Sequence, residues 1–203
     1  MTAAVFRKTP PGARVFRSGA LRVAGWAWMV FAALNFVDLI WRGRDMASAV
    51  AAAVMLLGSG VAYAVALRPR IVADDKAVWF HNLLRDVRLP WEAVTRFEGG
   101  DAVYAHAGDR RFRAFILQTS PRARARSEMK ARREEKKLPD AVAEYMRGRT
   151  ATDFTVEQLR ELAGQHRSKD GGAEASVTWA LPPVLALVVP GVLTVVTIVI
   201  ATI

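Results

Sequence analysis

The side chains able to do acid–base, metal or nucleophilic chemistry are few and scattered. The three histidines, His81, His106 and His166, are far apart in the chain. None has the close spacing that places two imidazoles on one helix face for a metal. His81 and His106 can meet only if their segments pair as strands. Cysteine is absent, so disulfides, thiolate metal sites and cysteine nucleophiles are excluded. The pairs Gly99-Gly100 and Gly171-Gly172 lack a following lysine and a strand-to-helix setting, so neither is a phosphate loop. No nucleophile elbow or metal-binding helix motif occurs. The carboxylates are flanked by arginine and lysine, as on a solvated surface. The expectation is a protein that is not an enzyme, with no cofactor, no metal and no evident small-molecule substrate.

What the sequence does supply is positive charge, a formal +10 with a pI near 10.8. Nucleic acid and anionic lipid head groups are the two partners such a balance suggests. The densest stretch runs from Arg122 to Lys137, where Arg122, Arg124, Arg126, Lys130, Arg132, Arg133, Lys136 and Lys137 stand among three acids. Met129 is its only large apolar residue, so a helix here is polar all round and cannot lay an apolar side into a bilayer. Three readings follow. The arm can lie against an anionic leaflet, at about 1 kcal/mol per basic residue close to the surface. It can be a solvated arm, or it can meet nucleic acid or a protein. Nucleic acid is disfavoured, because no aromatic residues interleave for stacking and no groove-reading motif is present. Arg68 and Arg70 join the arm as candidate contacts with the membrane surface or a partner, because they directly follow an apolar block.

The elements that must position these charges are three apolar blocks and one domain between them. The first block, Val23 to Trp41, has 19 residues (41 − 23 + 1) with tryptophans near both ends. As a helix it is about 28 Å long, close to the roughly 30 Å hydrocarbon core of a bilayer. A cleaved signal peptide is the competing reading, but the basic tail is long and no small-x-small site precedes the next apolar run. Asp38 in this block has an interfacial ion pair with Arg42, one turn on, as its plain reading, and a proton or ion relay as its rival. The second block, Met46 to Leu67, carries no charge, and Gly58, Ala62 and Ala66 recur every fourth residue. Such a stripe lets helices approach closely in lipid. The linker "RGRD" makes the two blocks a tight antiparallel hairpin. The third block, Ser176 to Ile203, is uncharged, with Pro182 and Pro183 in its first turns and Pro190-Gly191 predicting a kink.

Lysine and arginine counts set the orientation. Five lie in the tail 1–22, two in the hairpin linker, and the remaining 22 of 29 between Arg68 and Val177. Two spans separate the tail from the large segment, so both share one side, and the positive-inside rule makes that side the cytoplasm of a plasma-membrane protein. The expected domains are a cytoplasmic tail 1–22, a hairpin 23–67, a cytoplasmic domain 68–170 with basic arm 122–137, a linker 171–177, and a third span 178–203.

The segment after Arg70 is built of short β-branched and aromatic runs. "RIVADD", "KAVWFHN", "LLRDVRLPW" and "EAVTRFEGG" read as strands and turns, and "AVYAHAGDRRFRAFILQT" as two strands joined at Gly108-Asp109. Val78 and Phe80 point to one face and Trp79 to the other, in an antiparallel meander curling into a small barrel or sandwich. A short helix is expected around Leu138, Val142, Tyr145 and Met146. A second begins at Thr155 as N-cap, with Gln158 as its capping-box partner and Phe154 stapling onto Leu159. Its face of Val156, Leu159, Leu162 and Ala163 packs on the sheet.

The order of strand, tight turn, strand ending in Asn, basic hairpin and Pro-Trp resembles the bacterial pleckstrin-homology-like domains of actinobacterial membrane proteins. The matching residues are Asp74-Asp75, Asn82, Arg85, Pro90-Trp91 and Val94, over about fifty residues after a two-helix hairpin. Two departures are Lys76 in place of the usual turn glycine, and about five legible strands where such a domain has seven and a closing helix. The resemblance implies an α+β membrane protein with a small antiparallel pleckstrin-homology-like domain, and a membrane-associated binding or scaffold role. It names no ligand. Trp91 is expected to be a core anchor of this domain, packed with Val94 and Phe97. The rival function is an accessory or regulatory subunit of a transport or envelope-synthesis complex, recognised through the small-residue face Gly58, Ala62 and Ala66.

Overall fold

The computed structural model describes residues 12–116, 151–166 and 174–203. Three helices in it are long and apolar enough to cross a membrane: α1 (Gly19–Arg42), α2 (Met46–Ala62) continued by a π-helical turn (Tyr63–Leu67), and a C-terminal helix (Leu181–Thr202). Eight strands accompany them: β1 (Arg14–Phe16), β2 (Arg70–Ala73), β3 (Ala77–His81), β4 (Arg85–Pro90), β5 (Arg96–Glu98), β6 (Val103–Ala107), β7 (Arg110–Ala114) and β8 (Ser176–Trp179). The helix Ala151–His166 is α3 and the C-terminal helix is α4. The expected helix at 138–146 lies outside the described residues.

All pairings are antiparallel. One sheet runs β1-β2-β3-β4-β8 and the other β5-β6-β7. The two-residue connection at Gly108-Asp109 is the tightest turn, and Gly108 takes φ +56°, a backbone region open to glycine without Cβ strain. Alternation sorts the faces: Val78 and Phe80 are fully buried and Trp79 points outward. Both sheets share one core, with Ile71, Phe80, Leu89, Trp91 and Phe97 at its centre, and Val156, Leu159 and Leu162 of α3 closing it.

Element bounds differ from the sequence expectation at three places, each for a local reason. Residues 14–16, read as tail, form a strand because they pair with β2, Phe16 opposite Ile71. The helix that follows starts at Gly19, where the Ser18 hydroxyl accepts from Leu21 N at 3.5 Å. Ser176–Trp179, read partly as linker and partly as span, pairs with β4, and Pro182 and Pro183 sit in the first turn of α4 just beyond. Thr155 stands inside α3 rather than at its start; Thr152 and Thr155 are both buried, Thr152 close to Gly99 of the β5–β6 turn.

Inside the three apolar helices, polar side chains bond back to their own helix. Asn35 Nδ2 donates to Phe31 O, Ser59 Oγ to Met55 O, and Thr194 Oγ1 to Pro190 O, at 2.7–2.9 Å. This is the behaviour required where no water competes. Asp38 and Arg42 form the expected exposed i,i+4 pair at 3.3 Å.

Glycines set how closely the helices pack. A Cβ on Gly58 would lie 2.6 Å from the Trp28 ring, and one on Gly25 would lie 2.9 Å from Ala66 Cβ. Two positions of the expected stripe therefore face α1 within the chain. Ala62, the third, is half-buried. The closest approach is at Gly60, outside the stripe, whose Cβ would collide with the backbone oxygen of Ala186 in α4. Ala186 is four residues before Pro190, which has no N–H to give that carbonyl. One residue frees the oxygen and another, lacking a side chain, makes room for it.

Gly60→Leu should therefore lower the thermal midpoint of the full chain in detergent by the equivalent of about 1–3 kcal/mol, the range for an overpacked contact. Gly191→Ala, whose Cβ meets nothing within 4 Å, should leave it unchanged. Equal midpoints for the two variants would refute the α2–α4 contact.

Candidate membrane-surface site

Each apolar helix joins the larger sheet through a very short link. Arg17 and Ser18 separate β1 from α1, Arg68 and Pro69 separate the π turn from β2, and Ala180 alone separates β8 from α4. The helix-facing end of the sheet is therefore a row of cross-strand neighbours. Its register sets Arg70 opposite His81, His81 opposite Asp86, and Asp86 opposite Thr178. Continued by one residue, the β1–β2 register places Arg17 beside Arg70. The adjacent row, Phe16, Ile71, Phe80, Val87 and Val177, supplies Ile71, Phe80 and Val87 to the core. By the alternation of a pleated strand, the polar row lies on the outer face.

Asp86 organises this row. Its Oδ1 accepts from Arg68 Nη2 at 2.6 Å and lies 2.8 Å from His81 Nδ1. Arg68 also donates to the carbonyl of Leu83 at 3.2 Å, and its side chain is only 10% exposed. The sequence suggested Arg68 as a surface contact. The structure instead uses it to tie the end of the second apolar helix to the β3–β4 turn. Burial pushes the Asp86 carboxyl up, but the hydrogen bond and charge of His81 and the charge of Arg68 outweigh that and hold it below its ordinary value.

Arg70, the other suggested contact, has no ion-pair partner among the described residues. Its Nε is buried with no hydrogen-bond acceptor. The arm residues Arg122, Arg124, Arg126, Lys130, Arg132, Arg133, Lys136 and Lys137 lie outside the described residues.

The residues behind the family resemblance have structural tasks. Trp91 is fully buried, edge-on to Phe97 at 6.3 Å and stacked on His166 at 6.1 Å, and its Nε1 donates to Asp74 O at 2.7 Å. Asp74 Oδ1 accepts from the amides of Lys76 and Ala77 at 2.9 and 2.7 Å, while Oδ2 takes Trp79 Nε1 at 3.1 Å. A side-chain acceptor thus closes the turn without the usual glycine. Asn82 staples the two sheets, donating to Arg113 O at 2.9 Å and accepting from Phe115 N at 2.8 Å. Arg85 lies 4.3 Å from the centre of the exposed Trp179 ring.

The outer face of the smaller sheet is charged but largely self-neutralised. His106 Nε2 lies 2.9 Å from Glu98, which also has Arg96 and Arg111 at 3.9 Å. Arg113 pairs with Asp101 at 2.9 Å, and Arg111 covers the Tyr104 ring at 3.7 Å. His81 and His106 therefore sit in different sheets, each on its own carboxylate, and do not form a pair. Among the described residues no three His, Cys, Asp or Glu side chains gather as a metal-ligand set.

Sequence reasoning missed Arg17, Gly25, Gly60 and Asp86. Arg17 was read as one of five equivalent tail charges, and only the pairing of β1 with β2 makes it distinct. Asp86 had a signal in its place within a basic hairpin, but its partners lie 5 and 18 residues away. The fold and site define a class: an α+β chain of two antiparallel sheets bound to three apolar helices of membrane-crossing length. Comparison with models of known protein families, with curated proteins and with solved structures returns no match to this chain.

Asp86→Asn should cost about 1–3 kcal/mol at neutral pH, since Arg68 keeps its shielded position without its charged acceptor. Folding depresses the Asp86 pKa, so its contribution is full above the unperturbed value of 3.8 and is lost as pH falls through the lower folded value. Urea midpoints taken from about pH 5 down to pH 3 should therefore fall less steeply for the variant than for the native chain. Parallel curves would show that Asp86 does not act as a charged partner.

Proposed function

We propose that this is a multi-pass membrane protein of the plasma membrane, non-catalytic, that presents a pleckstrin-homology-like domain at the inner leaflet as a binding or scaffold module. The observation that carries this reading is the set of links of one or two residues between each apolar helix and a strand of one sheet. A helix of 22 residues is about 33 Å long, enough for the hydrocarbon core. With links so short, a domain attached to three such helices cannot leave the surface they enter. Two antiparallel sheets around one core, closed by α3, support the pleckstrin-homology-like reading, together with the tasks of Asp74, Asn82 and Trp91.

The excess of lysine and arginine on the domain side of the helices supports a cytoplasmic domain and N-terminus. The loop Gly43–Asp45 and Ile203 then lie on the outer side. Anionic lipid is the partner nearest to this basic surface, and the arm 122–137 extends the same charge. The sheet faces remain the place for a protein partner. The small-residue face that would speak for recognition through the helices is filled from within the chain at Gly58 and Ala66.

The absence of native cysteine makes the topology directly testable. Asp109→Cys, in the β6–β7 turn, should react with a membrane-impermeant maleimide only in inverted vesicles. Arg44→Cys, in the far loop, should react only from the outside of intact cells. The chain should also stay in the membrane pellet through alkaline carbonate extraction. Release by carbonate would end the spanning reading, and the reverse labelling pattern would end the cytoplasmic assignment.

A further inference from the structure

Two arginines at the helix-facing end of the larger sheet are unlike the other described cations. Extending by one residue the register that sets Phe16 opposite Ile71 brings Arg17 beside Arg70, and Arg70 acts electrostatically on Arg17. Both are half-buried, and in each the Nε–H is shielded from solvent with no acceptor. Like charges opposite one another on paired strands repel, and a buried donor left without an acceptor is costly. Arg22, one turn into α1, adds a third positive charge. Burial, then Arg70, then Arg22 all push the Arg17 guanidinium toward losing its proton.

The described residues offer this cluster no counter-charge. The acid in the same row, Asp86, is already held by Arg68 and His81. Among the described residues no carboxylate pairs with Arg17, Arg22 or Arg70. The contrast with the smaller sheet is direct, since Arg96, Arg111 and Arg113 there all face Glu98 or Asp101.

We infer that Arg17 and Arg70 form a phosphate-binding site at the junction of the β domain with the apolar helices, and that its occupant is the phosphodiester of an anionic lipid head group. The chemistry fits on three counts. A phosphate has several acceptor oxygens, enough to bridge two neighbouring guanidinium groups. Its negative charge removes the repulsion between the paired arginines. The site lies beside the first residues of α1 and just before β2, the depth at which head groups sit if the helices span the bilayer. The inference rests on that spanning reading, and it adds a defined site where general surface attraction would need none.

The test uses the full chain in neutral detergent, followed by native mass spectrometry and thermal unfolding as phosphatidylglycerol, phosphatidylcholine or inorganic phosphate is added. The native chain should retain phosphatidylglycerol more strongly than phosphatidylcholine and should unfold at a higher temperature with it. Arg17→Gln with Arg70→Gln should weaken that retention by roughly thirtyfold, as expected from two lost interfacial charges. Without lipid the same variant should be at least as heat-stable as the native chain, because the repulsion is gone; a purely structural role predicts the opposite. Arg96→Gln with Arg110→Gln, which changes the net charge equally, should retain lipid like the native chain. If the glutamine variant does not fold, Arg17→Lys with Arg70→Lys keeps both charges and loses the forks, and should still bind less tightly. Equal lipid retention in native and Arg17/Arg70 variants would overturn the site. Stabilisation by inorganic phosphate equal to that by lipid would overturn the lipid source. Carbonate extraction of the native chain tells failure of the spanning reading apart from either result.

Discussion

The interaction on which the arrangement depends is the ion pair of Arg68 with Asp86. Arg68 follows the π-helical turn that ends the second apolar segment, and Asp86 lies in β4, next to the strand that leads to the last apolar helix. One shielded contact of 2.6 Å thus joins the end of one helix to the sheet that anchors another. It works because the pair is largely out of water and each partner has a further hydrogen bond, Arg68 to Leu83 O and Asp86 with His81. A guanidinium suits this position better than an ammonium would, since its planar fork serves two acceptors at once.

The same economy of polar groups runs through the domain. Asp74 closes a turn, orients Trp79 with its carboxylate and receives Trp91 on its carbonyl. Asn82 uses both ends of its amide to join the sheets. Each supplies a backbone or indole group with a hydrogen-bond partner outside the strand ladders. Against that background the unpaired Nε atoms of Arg17 and Arg70 stand out, because the fold satisfies comparable groups nearby at short range.

In the apolar half of the molecule, packing follows from what is missing. Pro190 lacks a donor and Gly60 lacks a side chain, and these two absences meet at the Ala186 carbonyl. Gly58 and Gly25 make room for Trp28 and Ala66 in the same way. Close backbone approach gives apolar helices the van der Waals contact that lipid tails would otherwise provide.

The sequence by itself determined the three apolar helices, their tight hairpin, the Asp38–Arg42 pair, the β6–β7 turn, the alternation along β3 and the apolar face of α3, while which face of β3 turns inward came from the packing. All of these rest on local signals: an uncharged run of membrane length, a two-residue turn, a period of two or of three to four. Trp91 was legible as a core residue for the same reason, being large, apolar and next to proline. Only the tertiary structure decided that Arg14–Phe16 and Ser176–Trp179 are strands, since three or four residues carry no periodicity and gain their hydrogen bonds entirely from β2 and β4. It also separated Arg68 from Arg70, two identical side chains two residues apart. Arg68 caps the π-helical turn and Arg70 opens β2, and partners far off in sequence give one an acid and the other a second arginine. A charge's role depends on what faces it across the fold, and one-dimensional order does not encode that.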